Sequence, residues 1–188
     1  MHALYYHSRL LPMFRGLGLD VVSNDLRHGD GGLGAHWDWA GLVRLPIGWE
    51  DDVHCARSHG LPPAEAFDIS ALGLRRSGLK VFNFHPIHLY LNTADLAADY
   101  LAHKPVLRNH EAAHRIAERQ RQRPGVRTLF LQLVSAIRER GLLVASCRDL
   151  ADSFVQSGPR PAEHRRYEAF LADAEALSAP GERPQEAS

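Results

Sequence analysis

The spacing of apolar positions predicts that strands and helices alternate along the chain. Leu129, Leu133 and Ile137 recur every four residues, which is typical of an amphipathic helix, and Gly141 stands where such a helix would end. Predicted strands cover 19–24, 41–47, 79–84 and 142–146, and predicted helices cover 4–17 with a break at Pro12, 64–72, 94–103, 109–123, 125–140 and 147–156. We expect Pro46 to end the pairing of the second strand. This alternation favours an α/β protein with a mostly parallel sheet, whose site would lie at the carboxyl ends of its strands.

The strand over 79–84 runs into a pair of histidines. Because alternate residues face opposite sides of a sheet, its two phenylalanines would pack under helices, while the other face becomes polar toward His85. Pro86 biases His85 toward an extended conformation and ends the ladder, and His88 can turn back beside His85. Two interpretations stay open: a cleft that carries chemistry, or a buried His85 bonded to backbone with His88 facing water.

An acidic turn directly follows the predicted strand over 41–47. Glu50, Asp51 and Asp52 are consecutive carboxylates, which repel one another unless a cation or a salt bridge offsets the repulsion. Asp52 and His54 face the same way in an extended segment, whereas Asp51 and His54 do so in a helical turn. Either pair could bind a divalent metal or form an acid/base couple, and the alternative is an exposed acidic turn. Trp49 beside them would suit stacking on a sugar ring.

Composition limits the classes of protein that remain. A chain of 188 residues with 45% hydrophobic positions can bury one ordinary core, so we expect one domain over 1–157, then a charged helix and disordered tail over 158–188. Lys and Arg number 22 against 22 for Asp and Glu, which argues against a nucleic-acid partner. Two cysteines are too few for a disulfide framework. No segment is apolar for long enough to predict a membrane span, and we expect a cytoplasmic protein.

Four segments carry a resemblance to a known family: HALYYHSRLL, LGLDVVSN, GLVRLPIGWEDDVH and GLKVFNFHPIHLYLNT. In this order they resemble the polysaccharide deacetylases with the NodB-homology domain, most closely a branch associated with bacterial surface-polysaccharide synthesis. RLPIGWEDD and FNFHPIHLYLNT are the most specific of the matching stretches. The resemblance runs from His2 to about Phe154 and implies a partial or distorted (β/α) barrel.

The same resemblance implies metal-dependent removal of acetyl groups from a carbohydrate substrate. A divalent metal, zinc or similar, polarises the acetyl carbonyl, an aspartate base helps water attack, and a histidine protonates the leaving group. His85 resembles the histidine that acts as this acid or supports it, and the acidic turn resembles a segment that supports the site. The candidate residues are, for catalysis, His85, Asp51, Asp52 and His88; for substrate binding, Trp49, Arg44 and His2; and for a metal, Asp52 and His54.

One departure from the family pattern changes the expectation. In the family, the base and the metal ligands come from a strand and a segment that precede the region matched here, so we expect an N-terminally incomplete domain. An open sheet edge would then favour a weakly stable or homo-oligomeric protein. Two alternatives to an incomplete deacetylase stay open: a non-catalytic carbohydrate-binding or assembly protein, and an unrelated metal hydrolase whose whole site is Asp51, Asp52, His54 and His85.

Overall fold

A computed structural model describes residue 7, residues 9–29 and residues 31–158. His2 and the predicted charged helix and tail after Gly158 lie outside the described residues. The strands are β1 (Val21–Val22), β2 (His36–Trp37), β3 (Val43–Arg44), β4 (Trp49–Glu50) and β5 (Phe82–Asn83). The α-helices are α1 (Leu10–Gly16), α2 (Asp51–Arg57), α3 (Pro63–Ala66), α4 (Pro86–Leu91), α5 (His110–Gln120), α6 (Val126–Arg140) and α7 (Cys147–Ser157). Short 3₁₀-helices at Ile69–Leu72 and Lys104–Val106 and a π-helix at Leu96–Leu101 complete the set.

Two small sheets meet along one extended segment, 42–50. In the first sheet β3 lies between β1, which is parallel to it, and β2, which is antiparallel. In the second sheet β4 pairs in parallel with β5, with Glu50 opposite Asn83. The mixed α/β class is confirmed. Among the described residues these sheets do not close into a barrel.

Pro46 does not end the pairing, and that prediction is wrong. The N–H groups of Leu45 and Ile47 donate to the carbonyls of Val22 and Asp25, so alternate residues of this segment face β1. The backbone nitrogen of Pro46 therefore faces the other edge of the segment, after the residues that pair with β2 and before those that pair with β5. Its missing N–H costs no bond to the β1 side, and a bridge from Leu26 to Ile47 continues the ladder past it.

The predicted strand over 142–146 is also wrong. This segment joins α6 to α7 without strand pairing in the described part of the chain, and the side chains of Leu143 and Val144 are exposed. A run of apolar residues forms a strand only when a neighbouring strand offers its backbone groups. The helices on either side are confirmed, and α6 ends at Gly141 in the left-handed conformation that glycine favours.

The core lies under α6 and against the outer face of the second sheet. Phe82 and Phe84 pack against a buried cluster that includes Trp49, Phe67 and Leu133, as the alternation along this strand predicted. A separate cluster joins β3 to α7 through Val43, Leu45 and Ala151. The opposite, more polar face of β4 and β5 is thereby left to the candidate site.

Candidate functional site

The acidic turn begins a helix instead of forming a free loop. Glu50 ends β4 in an extended conformation, and α2 starts at the next residue, so Asp51 and Asp52 occupy its first turn. Carboxylates are favoured there because the unpaired N–H groups of a helix start carry partial positive charge. The side chain of Asp51 is completely buried. This helical geometry points Asp51 toward the end of the neighbouring strand β5.

Asp51 binds His85 through both of its oxygens. The backbone N–H of His85 donates to Asp51 Oδ2 at 2.7 Å, and the ring Nδ1 of His85 lies 2.6 Å from Asp51 Oδ1. With Nδ1–H donating to the carboxylate, the tautomer leaves Nε2 as the nitrogen that can exchange a proton or bind a ligand. The sequence predicted each residue as a candidate; their direct contact is a finding of the structure.

Charge and burial act in opposite directions on His85. Partial burial lowers the pKa of His85, but the hydrogen bond and the negative charge of Asp51 outweigh burial, so the pKa lies above its ordinary value. The imidazolium form of His85 is therefore more favoured than in an unperturbed histidine. The side chain of His85 is 35% exposed, so a substrate can approach it.

His88 lies beside His85, as Pro86 and the following turn predicted. The two ring centroids are 5.7 Å apart and nearly perpendicular. His88 is buried, its Nδ1 lies 3.1 Å from Thr93 Oγ1, and its ring packs edge-on against Tyr100. Burial lowers the pKa of His88, which favours its neutral form. His88 therefore packs against the ring of His85 in its neutral form. A catalytic role for His88 stays a prediction.

Glu50 is the residue of this cluster that the sequence analysis did not select as a site residue. Its side chain is only 4% exposed, and burial, followed by repulsion from Asp52, raises its pKa to about 7. Its Oε2 has no hydrogen-bond partner among the described residues. The alternation along the strand carried the signal: Glu50 is on the opposite face from Trp49, which fills the core. Two acidic groups are thus held close together beside His85.

Two sets of side chains in the described part of the chain bring metal-ligating atoms within 4.8 Å of one another. One set is Asp51, His85 and His88, and the other is Glu50, Asp52 and His85. In the first set, Asp51 already uses both oxygens to hold His85, and His88 is committed to Thr93. The second set includes Glu50, whose Oε2 has no hydrogen-bond partner among the described residues, so its carboxylates are less committed than Asp51.

Two other predicted residues, Trp49 and His54, are engaged in contacts outside this cluster. Trp49 is 3% exposed and packs on Phe84 and His54, so we do not retain it as a sugar-stacking residue. His54 directs Nε2 to the carbonyl of Ala66 at 2.8 Å, and we do not retain it as a metal ligand beside Asp52. Burial lowers the pKa of His54.

Arg44 is buried on β3, six residues before Glu50 in the same extended segment. Its guanidinium lies 3.6 Å from Asp38 Oδ2, which gives this side chain a structural ion pair inside the fold. A role for Arg44 in lining a cleft stays a prediction. His2, the third candidate for substrate binding, lies outside the described residues.

The profile of the WbmS-like polysaccharide deacetylases matches residues 1–104, which include every residue of the cluster. The chain belongs to this family. The predicted resemblance to polysaccharide deacetylases is thereby confirmed. Among curated proteins, none matches the sequence at a significant level.

A crystal structure from Bordetella bronchiseptica is similar to this WbmS-like chain. That protein is assigned as a polysaccharide deacetylase involved in O-antigen biosynthesis. The two proteins share 32% sequence identity, and their structures superpose with a TM-score of 0.59 over 71% of this chain. The match covers 53% of the Bordetella chain, so this chain spans about half the length of the structure it matches. No helix among the described residues of this WbmS-like chain has the length and apolar content needed to cross a bilayer.

Proposed function

We propose that this chain carries the histidine acid of a polysaccharide deacetylase that acts on an acetylated sugar of a bacterial surface polysaccharide. The observation that supports it most is the bond between Asp51 and His85 within a chain of this family. The family relationship supports the reaction class, and the O-antigen assignment of the Bordetella relative supports the substrate class.

The proposed role of His85 follows from its two ring nitrogens. Asp51 accepts from Nδ1–H and stabilises the positive charge of the protonated ring. The proton on Nε2 is then available to the amine or alcohol that leaves when the acetyl carbon–nitrogen or carbon–oxygen bond breaks. His88 packs against the ring and restricts its rotation. Asp51 acts as a positioning residue, because it touches His85 and not the substrate.

Metal chemistry in this family would assist the same reaction. A divalent metal, where bound, polarises the acetyl carbonyl and lowers the pKa of a bound water. The described carboxylates beside His85 that could contribute to such an ion are Glu50 and Asp52; with Nδ1 of His85 on Asp51 and Nε2 carrying the proton, we do not count His85 among its ligands. Nothing in the role proposed for Asp51 depends on that ion.

Acetate release from oligosaccharides of N-acetylated and O-acetylated sugars tests this proposal. With the wild-type chain and added Zn²⁺, Co²⁺ or Mn²⁺ tested in turn, we expect His85→Ala to lower the rate by roughly 10²- to 10⁴-fold, the range of acid catalysis by one side chain. Asp51→Asn should lower kcat and shift the pH profile to lower pH, because the charge that raises the pKa of His85 is removed.

His59→Ala is the matched control. His59 also contacts an aspartate, Asp95, but its side chain is 75% exposed and lies outside the cluster. We expect its activity to equal that of the wild type. Full activity of His85→Ala would contradict the proposed acid. If the wild type releases no acetate under any of these conditions, the hydrolytic proposal fails, and a non-catalytic carbohydrate-binding protein becomes the better interpretation.

A further inference from the structure

A polar groove lies where the ends of α4 and α5 meet the start of α6. Its volume is about 470 Å³, which is within the range of small-molecule sites. Among the described residues its lining contains two positively charged side chains and no carboxylate; it includes Arg121, Arg127, Leu131, Gln132 and Ser135. The groove therefore favours a ligand that carries negative charge.

The two arginines of the groove keep their charge uncompensated. Neither forms an ion pair with a described acidic side chain. Arg121 donates to the carbonyl of Tyr90 at 3.2 Å, and its guanidinium lies 5.5 Å from the centre of the Tyr90 ring. These contacts orient the guanidinium without neutralising it. The side chain of Arg127 is exposed. A guanidinium can bind a carboxylate through two parallel hydrogen bonds, so both arginines suit a carboxylate ligand.

The other lining residues offer the contacts that a sugar ring needs. A sugar presents apolar C–H groups as well as hydroxyl groups. Leu131 is 52% exposed and provides an apolar surface for the former. For the latter, Ser135 contributes a hydroxyl and Gln132 an amide, which can donate and accept. The Oε1 of Gln132 has no hydrogen-bond partner among the described residues. Together with the arginines, these groups match a sugar that bears a carboxylate.

The groove and the candidate site lie at the two ends of α4. His85 immediately precedes this helix and Asn92 immediately follows it, and the six residues between them make a helix about 9 Å long. Asn92 Oδ1 accepts from the N–H groups of Arg127 and Thr128, at 3.0 Å and 3.2 Å, and so joins this end of α4 to the start of α6. An oligosaccharide of a few units is long enough to contact both ends.

We propose that this groove binds an acidic sugar of the polysaccharide, a few units along the chain from the acetylated sugar that reaches His85. Arg121 and Arg127 bind its carboxylate, and Leu131 packs against its ring. The groove would thereby select acidic polysaccharides over neutral ones. The position of the acetylated sugar rests on the proposed function, whereas binding of the acidic sugar is measured without any hydrolysis.

Calorimetric titration with two N-acetylated probes of equal length tests the groove. Hyaluronan oligosaccharides alternate N-acetylglucosamine with glucuronate, and chitin oligosaccharides contain N-acetylglucosamine alone. We expect the wild-type chain to bind hyaluronan oligosaccharides more tightly and to lose this preference at high salt, because exposed charges are screened. Arg121→Gln and Arg127→Gln should each weaken hyaluronan binding by roughly three- to fivefold, the size of an exposed ion pair, and should narrow the difference between the probes.

Arg115→Gln is the matched control for general attraction to a basic surface. Arg115 is exposed on α5, outside the groove, and lies 3.6 Å from Glu111. Its replacement should leave hyaluronan binding unchanged. Equal affinity of the wild type for the two probes would overturn the proposal. An equal loss of affinity in Arg115→Gln would overturn it as well, as would competition by inorganic phosphate at the same concentration as the oligosaccharide. Thermal unfolding identifies misfolding; if Arg121→Gln misfolds, Arg127→Gln decides the outcome, since its exposed side chain makes no ion pair with a described residue.

Acetate release distinguishes failure of the groove from failure of the proposed function. Removing a contact that binds substrate and transition state equally raises KM. Arg127→Gln should therefore raise KM for hyaluronan oligosaccharides more than KM for chitin oligosaccharides. If the wild type binds hyaluronan oligosaccharides through the arginines but releases no acetate, the hydrolytic proposal fails and the groove stands. If acetate is released with the same KM for both probes in the wild type and in both arginine variants, the proposed groove fails and the hydrolytic function stands.

Discussion

Replacing Asp51 by alanine should destabilise the fold more than any exposed substitution. Asp51 is fully buried and accepts three hydrogen bonds: from His85 N–H at 2.7 Å, from His85 Nδ1 at 2.6 Å and from Asp52 N–H at 2.9 Å. Alanine removes the acceptor and leaves these donors unpaired in a partly dry environment. The bond to His85 also ties the start of α2 to the end of β5.

The magnitude follows from the kind of bond that is lost. Each hydrogen bond to a charged group contributes roughly 1.5–3 kcal/mol, and bonds that share one acceptor are not additive. Removing one partner of a buried charge pair costs about 3–5 kcal/mol. We therefore expect Asp51→Ala to lower the free energy of unfolding by about 3–5 kcal/mol, a large fraction of the stability of an ordinary domain. Asp51→Asn should cost less, because it keeps the volume and one acceptor oxygen.

Urea unfolding of the metal-free chain, followed by tryptophan fluorescence and circular dichroism, measures this difference. Asn109→Ala is the comparison: Asn109 also accepts a backbone N–H, from Ala112 at 2.9 Å, but it does so as an exposed cap of α5. Loss of such a cap costs about 1 kcal/mol. If Asp51→Ala costs no more than Asn109→Ala, the buried carboxylate does not hold the two elements together, and the reasoning is refuted.

Two further predictions concern acid stability and association. Hydrogen bonds from the N–H of Ala98 and from His59 hold the pKa of Asp95 below its ordinary value of 3.8. The stability that these bonds give the folded chain is therefore fully present above pH 3.8 and is lost as pH falls through the lower, folded-state pKa. Urea midpoints measured at falling pH should decline less steeply in Asp95→Asn than in the wild type, and equal slopes would contradict this. Leu143 is fully exposed between α6 and α7, so Leu143→Ser should leave the urea midpoint unchanged. If copies of the chain associate by burying this leucine, the variant should associate more weakly, and light scattering that finds wild type and variant equally monomeric would count against such an association.

Local signals in the sequence were sufficient for α5, α6 and α7, whereas α2 and α4 were not predicted. The four-residue repeat of α6 and the glycine after it predicted both its buried face and its end. The strand-end position of His85 and the return of His88 beside it followed from Pro86, because proline restricts the residue before it and favours the first turn of a helix. These features depend on neighbours within a few positions along the chain.

Strand pairing was less predictable because it depends on distant residues. The apolar run over 142–146 has the composition of a strand but no paired neighbour among the described residues, so composition alone misled. Proline usually ends strand pairing, yet Pro46 occupies a position whose backbone nitrogen does not face β1, so no bond to β1 is lost there. In both cases the deciding factor was which backbone groups lie opposite.

The sequence by itself determined the family, the α/β class and the set of candidate groups around WEDDVH and FHPIH. Only the tertiary structure decided how these groups combine. Asp51 and His85 are 34 residues apart, and their bond exists because β4 and β5 pair in parallel and bring the start of α2 to the end of β5. The same pairing turns Trp49 into the core and buries Glu50 beside His85. Alternation along a strand predicts which side chains share a face, but the register of β4 and β5 decides which of them are in contact.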